Sequence, residues 1–294
     1  MTEQSRYQDW IGRAETALDV LDPVRVAALN ATIGETGKPM GMPAAGDPLP
    51  PGAQWLYFWP LAPMSEVGPD GHPKRGGFLP PVSLPKRMWA GGRLRFHQPL
   101  IAGAQATRRS EILSVSGKDG RSGPLVFVTV AHEFLVDGSL CLREEHDIVY
   151  RDDAPASRKP AAAKDATTDP AAEAPGDIVA RRAIDPDPVM LFRYSALTFN
   201  GHRIHYDRDY CRDVEGYPGL IVHGPLIATF LMDLCRREGP APLTEFEFRA
   251  LRPLFDGERF ETIAVAAPDG GWALRAARPG KAPNMTATAR FGTR

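Results

Sequence analysis

The chain has 294 residues, 43% hydrophobic and 24% charged, with a formal net charge of −1. That length buries a sizeable core in one large domain or two ordinary ones, and the scattered, balanced charge gives no basic face for nucleic acid. Three cysteines, Cys141, Cys211 and Cys235, are an odd number without metal-ligand spacing, which points to reduced, buried thiols in a cytoplasmic protein. The opening MTEQSRYQDW lacks the basic start and apolar core of a secretory leader, and His223 and Pro225 interrupt the one long apolar run, so no membrane span is expected.

Residues 6–33 carry Trp10, Ile11, Ala14, Leu18, Val20, Leu21, Val24, Val26 and Leu29, which predicts two short helices broken near Asp22-Pro23, packed as a lid or brace. From Pro39 to Pro85, proline, glycine and isolated aromatics (Trp55, Tyr57, Phe58, Trp59, Phe78) predict irregular loop with one short strand near 54–59. A loop of that length inside a compact domain is expected to serve function, here as part of a pocket wall. A β-rich block follows: Arg93 to Phe96, Ala104 to Ser116, Pro124 to Phe134 and Ser139 to Tyr150. Asp119-Gly120 and Asp137-Gly138 punctuate it, and Asp-Gly between apolar runs is a strong hairpin signal, so the block reads as an antiparallel meander.

Residues 152–189 are dominated by Ala, Pro, Asp and Lys, with almost nothing large and apolar before Ile178, a composition that predicts a flexible linker. It divides the chain into an N-terminal half, residues 1–151 with a helical and loop-rich leader, and a C-terminal half, residues 190–294. In the second half a helix is expected to open at Gly224 as its N-cap, with Pro225 at the first helical position. Leu226, Ile227, Phe230, Leu231 and Leu234 recur at helical spacing on one buried face, and Gly239-Pro240 stops the helix behind Arg236 and Arg237. Strands then follow over 244–254, 259–267, 272–278 and 284–292, so the two halves read as a pseudo-repeat with the chemistry in the second.

The polar residues gather just before that helix, in SALTFNGHRIHYD. His202 and His205 stand three apart, but no third ligand follows at regular spacing, so metal binding is not expected. Imidazole titrates nearest neutrality of any side chain, which makes His205 the candidate general base or acid. Gly224 matters for its backbone: the first N–H groups of a helix lack internal partners, and a glycine lets a carbonyl oxygen approach them.

The string SALTFNGHRIHYD, with EGYPGLIVHGPL after it, resembles the MaoC-like hydratases and dehydratases of the hot-dog fold. It is most similar to the branch of mesaconyl-CoA (3-methylfumaryl-CoA) and itaconyl-CoA hydratases and β-hydroxyacyl-thioester dehydratases. QDWIGRAETALDVLDPVRVAALNATIG, RSGPLVFVTVAHEF and EHDIVYRD carry the resemblance into the first half. It implies an α+β double hot dog, two antiparallel sheets each wrapped around a central helix. Its catalytic histidine falls on His205 and its oxyanion glycine on Gly224. Many relatives have aspartate where this chain has Asn200 and asparagine where it has His202. Asn200 can orient a water but cannot take a proton, so either His205 serves as base and acid in turn, or His202 or Asp207 assists it, with Asp207 better placed to cap the next turn.

The resemblance implies reversible hydration of an α,β-unsaturated acyl-CoA, with a branched dicarboxylic acyl group such as mesaconyl or itaconyl favoured and citramalyl-CoA as the product. A fatty-acid-type β-hydroxyacyl-thioester dehydratase, a thioesterase and a non-catalytic acyl-thioester-binding protein are the alternatives. No cofactor beyond the CoA of the substrate is expected. Arg193, Arg203 and Arg208 near the motif, with Arg249 and Arg252 further on, are the candidate cations for a second carboxylate or for CoA phosphates, and His223 joins them as a substrate-binding residue. Nucleic acid and membrane are not expected as partners; the fold often pairs further, so a homo-oligomer is the expected assembly.

Overall fold

The computed structural model describes residues 7–34, 41–120, 123–152 and 177–293, so most of the expected linker, 153–176, lies outside the described residues. Ten strands form a single antiparallel sheet: β1 (Ala14–Val20), β2 (Lys86–Phe96), β3 (Gln105–Gly120), β4 (Gly123–Val136), β5 (Ser139–Arg151), β6 (Ile178–Ile184), β7 (Leu243–Ala250), β8 (Phe260–Ala266), β9 (Trp272–Ala277) and β10 (Met285–Phe291). Their order is β1-β3-β4-β5-β2-β7-β10-β9-β8-β6. Read from the centre outward, β2 matches β7, β5 matches β10, and so on to β1 and β6 at the edges. The pseudo-repeat is therefore a two-fold arrangement, and the halves meet where β2 pairs with β7.

Gly91 and Gly92 make that meeting possible. A Cβ on Gly91 would lie 2.6 Å from the Phe248 carbonyl oxygen, and one on Gly92 would lie 2.9 Å from the Phe248 ring. Side chains there would force the two halves apart.

The three longest helices among the described residues are α1 (Pro23–Ile33), α2 (Pro188–Leu197) and α3 (Gly224–Glu238). The helices α1 and α2 are built alike, each opened by an aspartate cap before a proline: Asp22 accepts from the Val24 N–H at 2.9 Å, and Asp187 from that of Met190 at 2.7 Å. They pack against each other across the pseudo-two-fold. The sheet of the second half wraps α3, and every residue from Leu226 to Cys235 is buried, a wider burial than one apolar face. Among the described residues, no helix lies along the first half's sheet in that way. Its concave face is packed instead by Leu49, Ala53, Leu56, Tyr57, Phe58, Val82 and Leu84 from the proline-rich loop, whose composition cannot continue a helix.

Several local expectations are corrected. Ala14–Val20 is a strand, not a helix: it is the exposed edge of the sheet, paired with β3, and its weak alternation hides the period. The stretch near 54–59 is a 3₁₀ turn, Ala53–Leu56. Strand β6 and the start of α2 fall within residues 152–189, so structure resumes by Ile178 rather than 190. The N-cap of α3 is His223, one residue earlier than expected, with Gly224 as the first helical residue. All three cysteines are buried free thiols. No helix among the described residues is long and apolar enough to cross a membrane.

One charged group, Asp233, interrupts the buried length of α3. Asp233, 5% exposed, accepts from Arg182 of β6 at 3.0 Å and from Arg236 and Arg237 of its own helix at 2.7 Å each. Arg182 also donates to the Ile33 carbonyl at the end of α1, tying both halves to one carboxylate. Asp233→Ala strands a buried guanidinium, so a loss of about 3–5 kcal/mol is expected. Thermal or urea unfolding checks it, with the half-exposed Arg236→Ala costing under about 1 kcal/mol.

Candidate active site

The loop between α2 and α3 carries the site, and its course is set by backbone contacts. Phe199 takes a left-handed φ of 50°, turning the chain off α2. The Asn200 Oδ1 then accepts from the His202 N–H at 3.0 Å, an Asx turn that presents a short helical turn, Arg203–His205. A second loop docks on it from the first half. Gly71 lies so close to Gly201 that an added Cβ would sit 1.8 Å from the Gly201 carbonyl oxygen, and the Arg203 N–H donates to the Asp70 carbonyl at 2.9 Å.

His205 is 7% exposed, and its Nδ1 lies 2.7 Å from the Ile221 carbonyl oxygen. A carbonyl only accepts, so Nδ1 carries the proton and Nε2 keeps its lone pair. Burial lowers the His205 pKa to about 4, so the ring is neutral at physiological pH. His223 stacks on it with centroids 3.6 Å apart and planes at 17°, held by Ser195 Oγ at 2.8 Å from its Nε2. Burial holds His223 well below the ordinary imidazole value too, and its Nδ1 is buried without a partner.

His223 immediately precedes Gly224, so the stack fixes His205 beside the start of α3. The first bond inside that helix runs from the Ile227 N–H to the His223 carbonyl, and the Gly224 N–H has no acceptor among the described residues. A Cβ on Gly224 would meet only the Trp89 carbonyl oxygen, at 4.0 Å, so the space before it is open. A polarised donor at a buried helix start, with room for an oxygen, is an oxyanion site in form.

The histidine row continues beyond the residues named from sequence. His202 meets His205 edge-on at 5.5 Å, and His72 lies 4.1 Å from His202 on its other side. His72 Nδ1 is 3.1 Å from Asp70 Oδ2, and the His72 N–H donates to Oδ1 at 3.0 Å. Burial, with the like-charged neighbours His72 and His205, lowers the His202 pKa to about 2. Burial alone would raise the Asp70 carboxyl, but hydrogen bonds from His72 outweigh it and keep Asp70 ionised. Asp70, His72 and His202 bring ligand-type atoms within 4.8 Å of one another, but the carboxylate and His72 already satisfy each other, the form of an acid–base dyad.

A further polar cluster lines the first-half sheet beside Trp89, whose ring lies 3.9 Å from His146. Fully buried Glu144 accepts from Trp55 Nε1 at 2.7 Å, from Gln54 Nε2 at 3.2 Å and from His146. The proline-rich loop thus supplies part of the site's wall as well as Asp70 and His72.

The sequence-named cations are placed elsewhere. Arg193 is exposed on α2, Arg203 is held by Asp207, Arg208 by Asp256, Arg249 is exposed on β7, and Arg252 is exposed and donates to the Pro283 carbonyl. None is brought to the histidine row, because each has a local partner or faces solvent. His223 is in the site, but fully buried behind His205, where it positions the ring. Nothing in the sequence marked Asp70 and His72, which arrive from a loop with no periodicity.

The sequence profile described as hydroxyacyl-thioester dehydratase type 2 matches residues 52–256. The mesaconyl-C(4)-CoA hydratase of Chloroflexus aurantiacus is 46% identical over 280 residues, covering 92% of this chain and 96% of that protein. The mitochondrial hydroxyacyl-thioester dehydratase type 2 of Schizosaccharomyces pombe is 27% identical, covering 83% and 87% respectively. Among solved structures, HtdX of Mycobacterium tuberculosis superposes with a TM-score of 0.65 at 18% identity, covering 95% of this chain and 100% of that one. Another M. tuberculosis protein, described as a double hot dog, superposes with a TM-score of 0.55 at 15% identity, covering 95% and 96%. With a profile match over most of its length, a close relative across nearly all of it and the double hot-dog architecture, the chain belongs to the hydroxyacyl-thioester dehydratase type 2 family.

Proposed function

We propose that this protein is a hydro-lyase that reversibly adds water across the double bond of an α,β-unsaturated acyl-CoA thioester. The observation that carries this reading is the pairing of a buried, neutral His205, its Nε2 lone pair free, with the unpartnered Gly224 N–H at the start of α3. A general base and an oxyanion donor are the two groups such a reaction needs.

In the hydration direction, His205 Nε2 takes a proton from a water as its oxygen bonds to the β-carbon. The π electrons move onto the thioester oxygen, where the Gly224 N–H and the α3 dipole stabilise the enolate. The enolate collapses as the α-carbon takes the proton back from Nε2. His205 is therefore base and then acid. The Asn200 amide orients the water, while His202, backed by the Asp70–His72 dyad, supports proton movement from the other side. Reversed, the same steps dehydrate a β-hydroxyacyl thioester, the reaction named for the fission-yeast relative.

The hydratase name of the Chloroflexus relative, at 46% identity, supports a short branched dicarboxylic acyl group. Every step uses groups of the chain itself. Buried free Cys141, Cys211 and Cys235 support a cytoplasmic setting, and the pairing habit of the fold supports a homo-oligomer.

His205→Ala is expected to lower kcat by about two to four powers of ten with the fold retained, followed by loss of enoyl absorbance on mesaconyl-CoA. Near-normal turnover contradicts the assignment, and thioester binding without any absorbance loss in the wild type points to a binding protein instead.

Acid should act through the same ring. Its folded pKa of about 4 lies below the ordinary 6.5, so folding favours the neutral form. That stabilisation is fully present above 6.5 and is lost as pH falls through the folded value. The profile of kcat/KM should stay flat from about pH 8 down to about pH 6 and fall with an apparent pKa near that folded value. An acid limb centred at the ordinary imidazole value argues against burial as its determinant.

Asp70→Asn keeps the shape of the dyad and removes its charge. A drop in kcat of roughly tenfold to a hundredfold with KM little changed is expected if the dyad supports proton movement. An unchanged kcat would restrict Asp70 to holding the loop.

A further inference from the structure

A second carboxylate on the substrate needs a cation inside the site, and the arginines named from sequence do not provide it. Arg87 does. It is the second residue of β2, paired in register with Tyr150 of β5, so the two side chains share the face of the sheet that also carries Trp89. Tyr150 is fully buried. The carbonyl of Trp89 looks onto Gly224, which places this end of β2 against the oxyanion site.

Burial is the main cause that holds the His72 and His202 imidazoles neutral, and the Arg87 charge acts on both in the same direction. The Arg87 guanidinium also lies against the Tyr150 hydroxyl. Among the described residues, no carboxylate pairs with Arg87, in contrast to Arg203 and Arg208 beside the motif and to its own neighbour Lys86, which pairs with Glu215. Apart from the Arg87 guanidinium against it, the buried Tyr150 oxygen has no hydrogen-bond partner among the described residues. Arg75, whose guanidinium lies 5.4 Å from the Tyr150 ring centre, is spent on the carbonyls of Val82, Leu84 and Pro85.

A half-buried guanidinium without a counter-ion beside a buried hydroxyl without an acceptor is a costly arrangement in an empty site and a fitting one around an anion. The guanidinium presents a planar fork matched to a carboxylate, and the phenol adds one further donor.

We infer that Arg87 and Tyr150 form the receptor for a carboxylate borne by the acyl group, and that they set specificity for a dicarboxylic substrate. This rests on the hydratase reading above and deepens it. The subsite lies beside His72 and His202, and we assign the carboxylate held there to the β-carbon end of the acyl group. The acyl group is then an unsaturated diacid with a four-carbon main chain, joined to its carrier at the other end. Holding that carboxylate fixes the double bond between Gly224 and His205 Nε2, so specificity and orientation come from one contact.

The test compares mesaconyl-CoA with crotonyl-CoA, which lacks the carboxylate, on wild type, Arg87→Met, Arg87→Lys and Tyr150→Phe. Wild type should favour the diacid. On Arg87→Met the ratio of kcat/KM for mesaconyl-CoA over crotonyl-CoA should fall roughly a hundredfold or more, chiefly through KM for the diacid. Arg87→Lys should recover part of that ratio, and Tyr150→Phe should lower it about tenfold or less. A wild-type far-UV circular dichroism spectrum shows that each variant is folded. Equal losses on both substrates, or no loss on mesaconyl-CoA, overturn the subsite while leaving the hydratase reading in place. A wild type that hydrates neither substrate overturns both.

Discussion

The hydrogen bond from His205 Nδ1 to the Ile221 carbonyl is the contact on which the proposed chemistry turns. It assigns the tautomer, aims Nε2 away from the backbone, and does so in a place where burial holds the ring neutral. The stacked His223 fixes the same ring from behind and, as the residue before Gly224, ties its position to the start of α3. Base and oxyanion donor are thus set by one short run of backbone, and neither depends on a long flexible side chain.

The pseudo-two-fold sheet explains why that run needs the other half. In the second half α3 fills the concave face; in the first, the corresponding surface is covered by the proline-rich loop and keeps polar groups within reach of the α3 N-terminus. The division follows from composition. A loop rich in proline and glycine cannot form a central helix, but it can carry His72 and Asp70 across to the catalytic loop, and the close contact of Gly71 with Gly201 lets it approach. The carboxylate that Asn200 does not supply has a counterpart beside His202 in Asp70, more than a hundred positions away in the chain, and the proposed mechanism uses it.

Much of this was legible in the sequence where local chemistry decides. The β4–β5 turn was marked by its Asp-Gly pair, with Asp137 and Gly138 at left-handed φ values of 49° and 77°, whereas Asp119-Gly120 lies at the end of β3, paired with β4. The Gly-Pro start of α3 was marked by proline's fixed φ, although the cap itself is His223, whose side chain is engaged by Ser195 instead of the helix. Edge strand β1 was misread because both its faces are largely exposed, which leaves no clean period of two. The first part of β2, with Arg87, was missed because Gly91-Gly92 looks like a break; it is a close crossing of the two halves, a long-range demand that no local pattern expresses. His72 and Asp70 were invisible for the same reason, since what makes them part of the site is a contact between loops.

The claim that joins these points is that His205 sits as a neutral, Nδ1-protonated imidazole in the resting protein. Nitrogen-15 chemical shifts of its ring, followed by NMR between about pH 8 and about pH 4.5, read tautomer and charge directly. The account predicts a protonated Nδ1 and a bare Nε2, with little change until the acid end of that range. An Nε2-protonated ring, or one that titrates near the ordinary imidazole value, would contradict it.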